Sequence, residues 1–211
     1  MKLPPLYPIL DVELLERRRC AVPDAADAMI RGGAQILQWR CKRPVMRPDF
    51  EAAERVAGYC QRFCVQFVVN DRADIALLLD AGLHLGQDDL PPAAARRLLG
   101  PERPIGFSTH NARQLSDSEV EPVDYVALGP MFATTSKDKP DPVLGIGRLE
   151  QWRPLTARPL VAIGGITRQT APDVIAAGAD SVAVIGDLIP VDATPESIRR
   201  RMEEWLSLLH Q

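Results

Sequence analysis

The sequence has 211 residues, 46% of them apolar and 25% charged, with a formal net charge of −3. That balance is ordinary for a globular chain; it excludes a disordered polymer, and without a basic stripe it gives nucleic acid no electrostatic footprint. No window reaches the roughly 18 apolar residues of a membrane span, Met1 to Asp11 lacks a signal-peptide core, and Cys20, Cys41, Cys60 and Cys64 show no CxxC spacing, so no membrane partner or disulfide framework is expected and the expected compartment is the cytoplasm.

Apolar runs alternate with helical patterns along the chain. A strand is predicted over Leu6–Leu10, then a helix over Asp24–Arg31 with Asp24 as its cap after Pro23. A strand over Gln35–Arg40 precedes a helix over Pro48–Phe63, with Asp49 near its start. Gln66–Val69 is a buried run, Ile75–Leu79 is helical and Leu83–Leu85 is a short strand. The helix over Pro91–Leu99 ends at Gly100. Next come a strand over Pro104–Phe107, a helix over Ala112–Ser116 and a strand over Tyr125–Leu128. Ala133–Gly147, rich in Lys, Asp, Pro and Gly, reads as a loop before a helical Leu149–Leu155. A strand over Leu160–Ile163, a helix over Ala171–Ala177 ended by Gly178, a strand over Ser181–Ile185 and an amphipathic helix over Pro195–Leu209 complete the chain.

Strict alternation implies parallel strands with crossover helices. Eight such units in one uninterrupted run suit a single (β/α)₈ TIM barrel spanning residues 1–211. A Rossmann-like open sheet is the structural alternative, weakened because no GxGxxG follows the first strand.

In such barrels the chemistry sits at the C-terminal ends of the strands. The residues there are Gln38, Arg40 and Lys42; Asn70 and Asp71; Gln87, Asp88 and Asp89; Ser108, Thr109 and His110; Thr134, Thr135, Ser136 and Lys137; Gly164 and Gly165; and Ile185 and Gly186. Loops after strands seven and eight are the frequent phosphate site of this fold, where glycine lets backbone N–H groups approach an anion; tight turns alone explain a Gly-Gly pair equally well. Asp71 and Asp89 taken singly read as helix caps. Taken with Arg40, Lys42 and Lys137 on the same rim, they read as a site for Mg²⁺, which takes one or two carboxylates plus substrate phosphate oxygens.

His84, inside a strand, reads as a satisfied core group, and His110 as a turn residue or an acid/base. Cys60 and Cys64, one helical turn apart, read as buried packing. Cys41, between two cations, is open to reading as a low-pKa thiol.

At these residues the chain resembles the thiamine-phosphate synthase family and its thiazole tautomerase relatives. The resemblance rests on Leu37-Gln38-Trp39-Arg40-Cys41-Lys42, Val69-Asn70-Asp71-Arg72-Ala73-Asp74 and His84-Leu85-Gly86-Gln87-Asp88-Asp89. It continues through Gly106-Phe107-Ser108-Thr109-His110, Gly129-Pro130-Met131-Phe132-Ala133-Thr134, Ala162-Ile163-Gly164-Gly165-Ile166 and Gly178-Ala179-Asp180, covering nearly the whole chain in order.

The resemblance implies a Mg²⁺-dependent transferase. It joins an aminopyrimidine methyl diphosphate to a thiazole phosphate, giving thiamine phosphate and diphosphate by way of a pyrimidine carbocation. Carried over by motif, Gln38, Arg40, Lys42 and Asn70 hold the pyrimidine diphosphate, Asp71 and Asp89 bind Mg²⁺, and Ser108 faces the pyrimidine. Thr134, Ser136 and Lys137 lie between the substrates, with Lys137 on the diphosphate, and Gly165, Ile185 and Gly186 hold the thiazole phosphate. Arg40, Lys42, Ser108 and Lys137 are the catalytic set. The implied partners are these two small molecules; a homodimer is compatible with the resemblance.

Three positions and one spacing depart from the family pattern. Cys41 stands where glutamate is usual, Ser136 where threonine is usual and Gly186 where serine is common, and the spacing from Asp71 to Asp89 is one residue shorter. The loop Asp138–Gly147 also differs. Two other readings stay open: a thiazole tautomerase using His110, disfavoured because it has no diphosphate to hold, and a non-catalytic barrel that binds a thiamine precursor.

Overall fold

An apolar run that must be buried on both faces needs helices on one side and other strands on the other. The computed structural model, which describes residues 2–134 and 141–209, meets that need by closing eight parallel strands into a barrel in sequence order. The strands are β1 Leu6–Asp11, β2 Ile36–Arg40, β3 Gln66–Asn70, β4 Gly82–Leu85, β5 Ile105–Thr109, β6 Tyr125–Leu128, β7 Leu160–Ile163 and β8 Ser181–Val184. Closure comes from β8 against β1, with Leu6 opposite Val182 and Pro8 opposite Val184.

Around them lie α1 Val12–Arg17, α2 Val22–Arg31, α3 Arg47–Arg62, α4 Ala73–Leu78, α5 Pro92–Leu99, α6 Ala112–Asp117, α7 Gly145–Trp152, α8 Ala171–Ala176 and α9 Pro195–Leu209. The core has two layers. One fills the barrel and includes Tyr7, Ile9, Ile36, Val68 and Tyr125. The larger layer lies between strands and helices and includes Leu10, Met29, Trp39, Leu83 and Trp205. Among the described residues, no helix is long and apolar enough to cross a membrane.

The expected barrel is present, with several local corrections. Asp24 does not cap α2: Ala21 is the cap residue, without a side-chain bond, and Asp24 lies in the first turn, where its charge suits the helix dipole. Helix α1 was not expected; Asp11 starts it by accepting the Leu14 N–H at 2.9 Å. The end of the expected 133–147 loop is helical, because α7 begins at Gly145. Cys60 is buried as expected, but Cys64 lies beyond the end of α3, exposed and with φ 55°.

Candidate active site

Side chains alternate across a strand, so the inward positions read in steps of two from the barrel core. Above Tyr7 and Ile9 stands Asp11; above Ile36 stand Gln38 and Arg40; above Val68 stands Asn70. His84 and Ser108 take the same positions on β4 and β5, each two residues past an inward glycine. On β7 and β8 the upper positions stay apolar, with Ile163 and Ile185 packed on the inner core. The rim is therefore polar and charged over β1–β5 and apolar or glycine-rich over β7 and β8.

The charges on the polar side are tied together. Arg40 Nη1 forms an ion pair with Asp11 Oδ2, both largely buried. Glu13 Oε1 accepts the backbone N–H groups of Lys42 at 2.7 Å and Arg43 at 2.9 Å, fixing the segment after β2. Burial works to raise the Glu13 pKa, but these N–H groups and the Arg40 charge outweigh it and hold the carboxyl below its usual range. Lys42 Nζ donates to Asp71 Oδ2 at 2.6 Å.

Asp71 has φ 63°. Aspartate tolerates this left-handed conformation better than most residues because it is short and polar. The turn is held by the Asp71 N–H on the His84 carbonyl at 2.8 Å. Asp71 does not cap α4, whose cap is Arg72, and neither Asp88 nor Asp89 caps α5, whose cap is Pro91. Asp89 Oδ2 instead accepts the Gly86 N–H at 2.7 Å. Its pKa is raised, first by burial and then by its hydrogen-bonded neighbour Asp71. Two carboxyls this close repel when both are ionised, so the pair suits a cation. Among the described residues no cluster of three or more His, Cys, Asp or Glu suits a metal. A two-carboxylate site completed by water and phosphate oxygens is the arrangement that fits Mg²⁺.

Asn70 Nδ2 is buried without a hydrogen-bond partner, an unsatisfied donor of the kind a ligand oxygen can take up. Ser108 Oγ lies 2.9 Å from His84 Nε2, and the Ser108 carbonyl accepts Gln87 Nε2 at 2.6 Å. His84 is the satisfied interior group expected: burial pushes its pKa down to about 4. His110 Nδ1 lies 2.7 Å from the Gly129 carbonyl, so that nitrogen donates there. Thr134 is among the described residues; Ser136 and Lys137 lie outside them.

Cys41 faces away from the rim. It is packed in the layer between strands and helices, and Sγ lies 3.6 Å from the Arg43 carbonyl. Burial, and then Glu13, push its thiol up to about 11, which overturns the reading of a low-pKa thiol. Cys41→Ala is therefore expected to leave turnover unchanged and to cost about 1 kcal/mol of stability for a small cavity; steady-state kinetics and denaturant unfolding check both.

The glycines differ in what they do. Gly164 has φ 99° and Gly165 φ 65°. A Cβ on Gly165 would stand 2.4 Å from the Ala133 carbonyl oxygen, and one on Gly164 would stand 2.6 Å from Pro130 Cβ. Both glycines are dictated by the loop after β6, which packs on them. Gly186 has nothing within 4 Å of a Cβ. Gly165→Ala is thus expected to displace the 132–134 loop and cost roughly 1–3 kcal/mol. Gly186→Ala is expected to keep wild-type stability and weaken phosphate binding alone. Thermal unfolding with inorganic phosphate titration separates the two; equal phosphate affinity in Gly186→Ala and wild type contradicts the second.

Sequence reading missed Asp11 and Glu13, which orient Arg40 and Lys42. The signal was present: Asp11 ends the first strand, and the end of a barrel strand is where site residues stand.

Residues 6–188 match the family model described as thiamine monophosphate synthase. A thiamine-phosphate synthase of Koribacter versatilis (strain Ellin345) is 45% identical, covering 100% of this chain and 98% of the relative. One from Persephonella marina (strain DSM 14350 / EX-H1) is 36% identical, covering 92% of each. The solved structure of a thiamine phosphate pyrophosphorylase from Pyrococcus furiosus superposes with a TM-score of 0.82 at 29% identity, covering 98% of this chain and 95% of that one.

Proposed function

The chain belongs to the thiamine monophosphate synthase family, and from that premise we propose that its rim joins an aminopyrimidine methyl diphosphate to a thiazole phosphate, releasing diphosphate. The observation that carries this reading is the cluster of Lys42, Asp71 and Asp89 past the ends of β2, β3 and β4. A carboxyl pair with an adjacent ammonium suits a diphosphate and its cation; a reaction without a leaving diphosphate has no use for it.

Asp71 and Asp89 are the residues that would hold Mg²⁺, which when bound supplies positive charge against the charge developing on the leaving group. Lys42 faces the diphosphate, a role the resemblance also gives to Lys137, which lies outside the described residues. Arg40, pinned by Asp11, sets a fixed positive charge at the end of β2. Preorganised charge of this kind favours the ionising transition state over the bound ground state. Asn70 gives its unpaired donor to a substrate oxygen. Ser108 faces the pyrimidine, as Gln38 does from the opposite wall. Gly186 offers open backbone to the thiazole phosphate, with Ile185 and Gly165; the resemblance puts Thr134 and Ser136 between the substrates, Ser136 lying outside the described residues. No general base is needed to start the reaction, which agrees with the closed hydrogen bonding of His84.

The test is to incubate the protein with thiazole phosphate alone, with both substrates, and with both plus EDTA. Product is expected only from both substrates without chelator. Isomerisation of the thiazole phosphate alone indicates a tautomerase, and binding without turnover indicates a non-catalytic barrel.

A further inference from the structure

A continuous hydrogen-bonded chain crosses the inside of the barrel from β2 to β5. Gln38 Nε2 donates to the Tyr7 hydroxyl at 3.1 Å, which lies 2.7 Å from the Tyr125 hydroxyl. That hydroxyl lies 3.1 Å from His84 Nδ1, and His84 Nε2 lies 2.9 Å from Ser108 Oγ. The interior members are closed off from solvent: Tyr7, Tyr125 and His84 are 1%, 0% and 8% exposed. Room for the chain is built into β5, because a Cβ on Gly106 would stand 2.1 Å from Tyr125 Cζ.

Counting protons gives the chain a direction. Burial pushes Tyr7 up to about 12 and raises Tyr125 well above its usual value, so both hydroxyls keep their protons near pH 7. Each link then needs one proton, and each hydroxyl and the neutral imidazole have one to give. Gln38 fills the first link with its own N–H. Tyr7 therefore gives its proton to Tyr125, Tyr125 gives its own to Nδ1, and the imidazole proton stands on Nε2, pointing at Ser108. With Gln38 donating, any other arrangement strands a hydroxyl proton inside the barrel with no acceptor, a costly state at low dielectric.

We propose that this chain leaves the Ser108 proton free to be given to the substrate, with Tyr7, Tyr125 and His84 as positioning residues. Ser108 Oγ is already used as an acceptor by His84, so its own proton turns outward to the rim. There it favours a substrate presenting an acceptor atom, a pyrimidine ring nitrogen or a diphosphate oxygen. This deepens the functional reading above and rests on its placing Ser108 against the pyrimidine diphosphate.

Two measurements on the full chain test it. Nitrogen-15 NMR of the His84 ring is expected to show a protonated Nε2 and a bare Nδ1; a proton on Nδ1, or rapid averaging between the two, overturns the proposal. Tyr125→Phe keeps the ring and removes one hydroxyl, and is expected to lower kcat about tenfold, the worth of one modest hydrogen bond, with the KM for thiazole phosphate unchanged. In a Ser108→Ala background the same change is expected to add little, since both act through one hydroxyl; losses that multiply overturn the proposal. If Tyr125→Phe does not fold, Tyr7→Phe breaks the chain one link earlier under the same criteria. The NMR result needs no turnover, so a wild-type protein without coupling activity defeats the functional reading and leaves the proton assignment decided separately.

Discussion

Asp71→Asn is expected to lower the coupling rate by roughly 10²–10³-fold, the loss seen when one preorganised charge-stabilising group is removed. The substitution is a clean probe of charge. Asparagine, like aspartate, tolerates the left-handed backbone that Asp71 adopts at φ 63°, so the turn after β3 keeps its shape. The Asp71 N–H bond to the His84 carbonyl is backbone and survives. What disappears is one of two carboxylates and the partner of Lys42. Binding of thiazole phosphate, on the far side of the barrel mouth, is expected to stay near wild type. Relieved of a charged neighbour, Asp89 is expected to titrate lower than it does beside Asp71. Calorimetric titration with each substrate and single-turnover kinetics together check the result. Full activity of Asp71→Asn, or of the wild type in EDTA, contradicts the assignment of this pair to a cation.

Lys42→Ala is expected to lower kcat far more than it raises KM, again by roughly 10²–10³-fold. Half of the Lys42 side chain is exposed and its ammonium rests on Asp71, so its long stem can follow a bound diphosphate. Its backbone, fixed by Glu13, does not depend on the side chain. Two roles separate cleanly in the kinetics. If Lys42 only neutralises the carboxyl pair, excess Mg²⁺ restores the rate of Lys42→Ala. If it stabilises the leaving diphosphate, excess Mg²⁺ leaves the loss in place, which is the expected result. Lys137→Ala is expected to lose kcat in the same way, and a rise in KM alone for either variant contradicts a role in the ionising step.

The barrel was legible because every strand carries a short apolar run and every crossover a helical period, and these survive errors of one or two residues at the ends. The rim was legible for the same reason: once the strand ends are known, Arg40, Asn70, Asp71, Ser108 and Asp89 follow by position. Less legible was which groups hold one another. That Arg40 is paired with Asp11, 29 positions away in sequence and adjacent only across β1 and β2, depends on register that no local pattern encodes. The chain from Gln38 to Ser108 escaped for a similar reason. Its middle members, Tyr7 and Tyr125, look like ordinary core aromatics in a strand, and only the closed barrel brings their hydroxyls together. Gly164 and Gly165 were readable as glycines that matter, but not that the loop after β6 packs on both of them. Cys41 was misleading because its neighbours in sequence are cations, while its neighbours in space are apolar groups and carboxylates.

The central claim is that this rim expels diphosphate from one substrate as it joins that substrate to the other. A quenched reaction with both substrates and Mg²⁺, analysed for thiamine phosphate and diphosphate in the same samples, tests it most directly. The account predicts that the two products appear together in a one-to-one ratio and that both form roughly 10²–10³-fold more slowly in Asp71→Asn. Diphosphate released without thiamine phosphate, or thiazole phosphate altered in the absence of the pyrimidine, would contradict it.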